Sequence, residues 1–153
     1  MLIQDIRDQP RHLPTLAAWH HHEWWSLNPG CSIEQRIQDM QAYLSSDLIP
    51  STFIATQTEL IGSAALVAHD MDVNPELTPW LASVFVASAY RNQGIGSQLV
   101  KYVMQKARQG GIETLYLFTS ASREAFYRKL GWEVFAKQDY YGNAVSLMWV
   151  ELN

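Results

Sequence analysis

A mixed α/β fold is what this sequence predicts: a mostly antiparallel sheet with one central parallel β-α-β pair and helices on both faces. Two observations carry that expectation. Read by apolar periodicity and turn residues, the segments order as β-α-α-β-β-β-α-β-α-β-β. The run Trp80–Val86, "WLASVFV", is apolar on both alternating faces, as a central strand requires, and a helical stretch separates it from the next strand. Two strands joined through a helix should lie parallel. With 153 residues, 48% of them apolar, the chain can build one domain with its own core, and residues 1–153 are read as that single domain.

The elements follow in order. Leu2 to Ile6 alternates and predicts a first strand. Leu13, Leu16, Ala17, Trp24 and Leu27 recur at helical spacing, and "NPG" at Asn28–Gly30 stops that helix. Ser32 with Gln35 three residues on has the form of a capping box, opening a second helix with Ile33, Ile37, Met40, Tyr43 and Leu44 on its apolar face and Pro50 at its end. Ser51–Gln57 and Leu60–Ala68 are β-rich and predict a hairpin. After the polar loop "HDMDVNPELTP" comes Trp80–Val86, then a helix running to about Arg108 and closed by Gly110 and Gly111. Thr114–Phe118 predicts the partner strand. Ser122 is placed to cap a short helix ending at Gly131, and Trp132–Tyr140 and Asn143–Glu151 predict a last hairpin turning near Gly142.

Composition excludes several classes of function. A formal net charge of −4 argues against a nucleic-acid-binding face, which needs clustered Lys and Arg. No apolar run reaches the roughly 18 residues of a membrane span. The lone Cys31 rules out an internal disulfide and a cysteine-rich zinc site. The N-terminus lacks the pattern of a secretory leader, so a cytoplasmic location is expected. "WHHHEWW", Trp19–Trp25, invites a metal reading. Successive helical residues point about 100° apart, however, and the i, i+4 partners of His20 and His21 are Trp24 and Trp25, so no metal is expected.

The stretch "RNQGIGS", Arg91–Ser97, places Gly94 and Gly96 where a helix begins, although glycine disfavours helix by about 1 kcal/mol. Unpaired backbone N–H groups at a helix start attract anions, and glycine lets a bulky phosphate approach them. Arg91 adds charge and Ser97 a hydroxyl donor. Tight packing of the helix on the sheet accounts for the two glycines equally well when they are taken alone. Leu99 stands where a dinucleotide fingerprint needs its third glycine, and the Gly-Lys-Ser/Thr of a Walker loop is absent.

"RNQGIGSQLV" resembles the R/Q-x-x-G-x-G/A pattern of the GCN5-related N-acetyltransferases. The resemblance continues in register through "LASVFV" before it, "TLYLF" after it, and "REAFYRKLGWE", similar to that family's helix ending in F-Y-x-x-L-G-F/W. It covers Trp80–Val134 through these motifs and the N-terminal part in element order only. It implies an acetyl-CoA-dependent N-acetyltransferase acting on a primary amine, with a small molecule as the leading acceptor. A protein N-terminus or lysine is the alternative acceptor, and a non-catalytic coenzyme A-binding module the alternative of another class. A homodimer is left open.

Carried over by residue, the resemblance implies that the backbone of Asn92, Gln93, Gly94, Ile95, Gly96 and Ser97 holds the pyrophosphate. Val84, Phe85 and Val86 would pair with the pantetheine arm once the two parallel strands splay apart beyond Val86. Arg91, Ser122 and Phe126 would complete the coenzyme site, and Tyr127 would act near the sulfur as proton donor. Acetyl transfer also needs a base to take a proton from the amine. The strand Trp80–Val86 carries no carboxylate, which points to water held by Ser83 or by backbone carbonyls. His69, Asp70 and Asp72, in the loop before that strand, and Glu23 read as solvated residues first and as site residues second. His21, Glu23 and Trp25 are candidates for the acceptor pocket, together with His69 and Ser83.

Overall fold

The computed structural model describes residues 1–153. Seven strands form one sheet in the order β1-β2-β3-β4-β5-β7-β6. They are β1 (Leu2–Asp5), β2 (Ser51–Thr56), β3 (Leu60–Val67), β4 (Trp80–Val86), β5 (Thr114–Thr119), β6 (Glu133–Tyr140) and β7 (Asn143–Glu151). Every neighbouring pair is antiparallel except β4 and β5, the predicted parallel pair. The helices are α1 (Leu13–Trp24), α2 (Ile33–Met40), α3 (Ile95–Gln109) and α4 (Glu124–Arg128).

The period-2 alternation of β2 shows how both faces become buried. Phe53 and Ala55 join Leu99, Val100 and Val103 of α3 in the larger core, which continues through Leu115, Leu117 and Met148. Ile54, between them, points the other way and packs with Leu13, Leu16 and Ala17 of α1 and Met40 of α2. Helices therefore cover both faces of the sheet. A third cluster, with Met71, Trp80, Tyr140 and Leu147, lies under the loop that follows β3.

Three local expectations are corrected. The second helix ends at Met40 and passes through a 3-10 turn, Gln41–Leu44, well before Pro50. Beyond that turn, the Arg7 guanidinium takes up the carbonyls of Ser45, Asp47 and Pro50, which fixes the segment in a non-helical path. Ser122 does not cap α4. It lies within a 3-10 turn, Ala121–Arg123, and its hydroxyl bonds that of Ser120 at 2.9 Å.

The third correction concerns the splay. β4 and β5 pair only at Trp80↔Tyr116, so they diverge along most of their length rather than beyond Val86. A bulge in β4 lies within the parted stretch. Ser63 of β3 faces Phe85 while Ala65 faces Ala82, so two residues, Ser83 and Val84, stand opposite Ala64 alone. Ser83 takes a left-handed backbone, φ +53°, to make that bend.

Candidate active site

The gap between β4 and β5 opens into a cleft of about 1080 Å³. One arm is bounded by the end of β4 and the start of α3. Gly94 is the N-cap of α3 with φ +80° and ψ 7°, a left-handed conformation that favours glycine, and a Cβ there would meet nothing within 4 Å. Gly96 is different. A Cβ at Gly96 would stand 3.5 Å from Phe126 Cζ and 3.7 Å from a Val86 methyl, in ordinary contact, so its space belongs to the cleft. Gly94 thus serves the turn, and Gly96 leaves room above the helix start.

Val84, Phe85, Val86, Arg91, Asn92, Ile95, Ser97, Ser122 and Phe126 line this cleft with the two glycines. Gln93, next to the left-handed turn residue Asn92 (φ +63°), is exposed and lies outside the lining. Arg91 is tied down more than a rim cation would be. Its Nε donates to the Val86 carbonyl at 2.8 Å, and its guanidinium lies 5.7 Å from the centre of the Phe85 ring.

Tyr127 lines the cleft and is 7% exposed. Edge contacts with Phe126 at 4.9 Å and Trp132 at 6.2 Å hold its ring. Its helix is anchored by Ser146 of β7, whose hydroxyl donates to Glu124 Oε2 at 2.5 Å. Burial pushes the phenol up to about 12; Arg123 pulls it down and the Asp70 charge adds to the rise. The tyrosine therefore stays protonated at neutral pH.

Asp70 is the residue that sequence reasoning underrated. It lines the same cleft, partly buried, and desolvation raises its carboxyl to about 7, against the pull of the Arg36 guanidinium. Its loop does not float in solvent. The backbone N–H of Asp72 donates to Tyr140 Oη at 2.9 Å, Tyr141 Oη donates to the Asp72 carboxylate, and Asn74 Nδ2 donates to Gln138 Oε1 at 3.0 Å. These bonds clasp the loop to the β6–β7 hairpin. His69, one residue earlier, is exposed and outside the cleft, because Asp70 takes the inward place. A buried Met71 directly after "HD" is the one signal that this loop folds back onto the core.

His21, Glu23, Trp25 and Ser83 line the arm opposite the glycine turn. His20, read only as a neighbour of Trp24, has a larger part. Its ring lies tilted against Trp24, centroids 5.2 Å apart, but its nitrogens serve distant partners. Arg36 Nη2 donates to His20 Nδ1 at 2.9 Å. Because arginine can only donate, Nδ1 is an acceptor and the proton sits on Nε2. His20 Nε2 then donates to Ser63 Oγ at 2.9 Å, and Ser63 Oγ donates to the Ser83 carbonyl at 3.0 Å. This one-way chain satisfies the bulge carbonyl of β4. Desolvation, then the nearby Arg36, holds His20 well below its usual pKa, so the ring is neutral as the chain requires.

No group of three or more His, Cys, Asp or Glu side chains is arranged to hold a metal ion, and no helix is long and apolar enough to cross a membrane.

Among solved structures the fold is shared, at identities that speak for the fold alone. An aminoglycoside 6'-N-acetyltransferase complexed with coenzyme A superposes with a TM-score of 0.76 at 19% identity, covering 100% of this chain and 98% of that one. The ribosomal-protein-alanine N-acetyltransferase of Brucella melitensis gives 0.76 at 21% identity over 99% of both chains. The Salmonella typhimurium protein yncA with its cofactor acetyl-CoA gives 0.72 at 16% identity, covering 100% and 94%. No curated protein matches the chain by sequence. The family model described as the acetyltransferase (GNAT) family matches residues 13–132, from the first helix through the segment that carries Tyr127. With the parted β4 and β5 and the glycine turn between them already in place, this match means that the chain belongs to the acetyltransferase (GNAT) family.

Proposed function

We propose that the protein transfers the acetyl group of acetyl-CoA to a primary amine of a small molecule, with Asp70 as general base and Tyr127 as proton donor. The carrying observation is that a carboxyl held near pKa 7 and a buried phenol line one cleft whose other arm begins at the glycine turn. The free backbone N–H groups of Asn92–Ser97 suit a pyrophosphate. The strand edge at Val84–Val86, released from β5, suits an amide-bearing arm.

Asp70 takes one proton from the substrate ammonium. A base with a pKa near the working pH is half ionised yet still accepts a proton readily. The amine nitrogen then bonds to the thioester carbonyl carbon as the C–S bond breaks. Tyr127 donates to the departing sulfur, and the second amine proton restores the phenol. One proton per turnover leaves through Asp70 to solvent. Free thiols titrate near 8.5, so full transfer from a phenol at about 12 would be uphill by about 3.5 pH units, roughly 5 kcal/mol. Tyr127 therefore acts as a hydrogen-bond donor to the sulfur while charge builds there, with transfer completed as the amine proton arrives. The test is thiol release from acetyl-CoA across an amine panel. No release above the hydrolytic background with any amine would refute the reading.

A further inference from the structure

Arg36 has charge and donors that the protein leaves unused. It extends from α2 into the lining of the cleft beside Ser83. Of its five N–H donors, Nη2 serves His20 at 2.9 Å and, more loosely, Ser83 Oγ at 3.4 Å. Its Nε is buried without a partner. The ion pairs of the molecule are Arg7–Asp5, Arg128–Glu124 and Lys137–Glu124, so no carboxylate lies within 4 Å of Arg36. An unpaired, partly desolvated cation is costly to keep, and the neutral His20 that fixes it brings no compensating charge. Asp70 is near enough for the two charges to feel each other, yet they do not close into a pair. The cleft wall thus presents a fixed positive group and a carboxyl held apart from it.

We propose that the acceptor is an amino acid-like zwitterion whose carboxylate is bound by Arg36 while its amine faces Asp70. This rests on the acetyl-transfer reading above and narrows its substrate class. A planar guanidinium matches a carboxylate in geometry as well as charge. A polycationic acceptor would meet like charge at Arg36, and the N-terminus of a peptide carries an amide where the carboxylate should be. A site built to bind a charged group rejects the analogue that lacks it, since the buried donors are then left unpaired.

The test uses the full-length protein saturated with coenzyme A, and calorimetry with the protein α-amino acids, each as free acid and as carboxamide. At least one free acid should bind about tenfold or more tightly than its carboxamide. Arg36→Met should bring that ratio to about one, and Arg36→Lys should keep only part of it, because a lysine keeps the charge but loses the fork. Should Arg36→Met fail to fold by circular dichroism, the wild-type ratio and Arg36→Lys still decide. If no free acid outbinds its carboxamide, or if the preference survives in Arg36→Met, the inference is overturned and Arg36 only balances the charge of Asp70. Acetyl release is measured separately. Acid-selective binding without release would refute the transferase reading, and with it the acceptor role, while keeping Arg36 as a carboxylate site; release to amines without acid selectivity would overturn this inference alone.

Discussion

Replacing Asp70 by asparagine should make the protein more stable and nearly inactive. The carboxyl titrates at about 7 in the folded chain against an ordinary 3.8. Between those values the folded state binds more protons than the unfolded one, so stability falls as pH rises through the window. The cost is absent below about pH 4 and complete above about pH 7. A gap of about 3 pH units, at 1.36 kcal/mol each, makes that cost about 4 kcal/mol. Asparagine carries no charge to desolvate and keeps the shape, so most of the cost should vanish. A domain of this length gains about 2 to 4 °C in Tm per kcal/mol. Thermal melts at pH 8 should therefore place Asp70→Asn several degrees above wild type, and melts at pH 4 should nearly coincide. Acetyl transfer at pH 7 should fall by about a hundredfold or more, the usual range for a lost general base. In wild type, kcat/KM should rise with pH through about 7, and that limb should be missing in the variant. An Asp70→Asn protein less stable than wild type at pH 8 would refute the desolvation argument. Wild-type turnover in the variant would refute the catalytic assignment.

Three further outcomes are expected. Tyr127→Phe keeps the ring contacts with Phe126 and Trp132, so coenzyme Kd should stay within a few-fold while kcat drops about a hundredfold; a drop in binding instead would mean that the hydroxyl positions the coenzyme. Gly96→Val should raise coenzyme Kd about tenfold or more, about 1.4 kcal/mol, whereas Gly94→Ala should mainly cost stability, about 1 kcal/mol, by straining the left-handed N-cap; calorimetry and urea melts separate the two. His20 is neutral in the fold and titrates near 6.5 when unfolded, so its contribution is complete above pH 6.5 and is lost as pH falls below that value. In the Asp70→Asn background, where the opposing slope is gone, urea midpoints should fall from pH 6.5 to 5, and His20→Gln should flatten that dependence.

What the sequence made legible was local. Trp80, the glycine turn, α3, β5 and the Tyr127 segment follow one another within about fifty residues, and their periodicity and turn chemistry survive folding intact. The cap at Ser32 was legible for the same reason: its hydroxyl accepts from the N–H of Gln35, three residues away, at 3.1 Å. The other half of the site is assembled from far apart. His20 meets Ser63 across 43 positions and Arg36 across 16, so no window of sequence contains the relay. Asp70 read as solvated because its neighbours are polar, and only the clasp to Tyr140 and Tyr141, about seventy residues on, takes it out of water. The bulge at Ser83 was hidden too, since nothing in "WLASVFV" marks where a strand will step out of register.

The single rung between β4 and β5 makes the sheet two rafts joined at one corner. β1 to β4 form one raft and β5 to β7 the other, each internally laced by antiparallel ladders. Across the seam the packing is carried by side chains, through the core cluster that runs from Phe53 to Met148. Side-chain packing yields more readily than a hydrogen-bonded ladder, so the lowest-energy opening of the molecule should run along this seam. A ligand strand laid against β4 would supply the missing lacing and bind only the closed form. In the free protein the amides of β4 that face β5 beyond Trp80 should exchange with solvent faster than those of Ile54 or Met148, and coenzyme A should slow them selectively. Occupancy and mechanical unity of the domain are then the same event, and the enzyme is most whole when it is loaded.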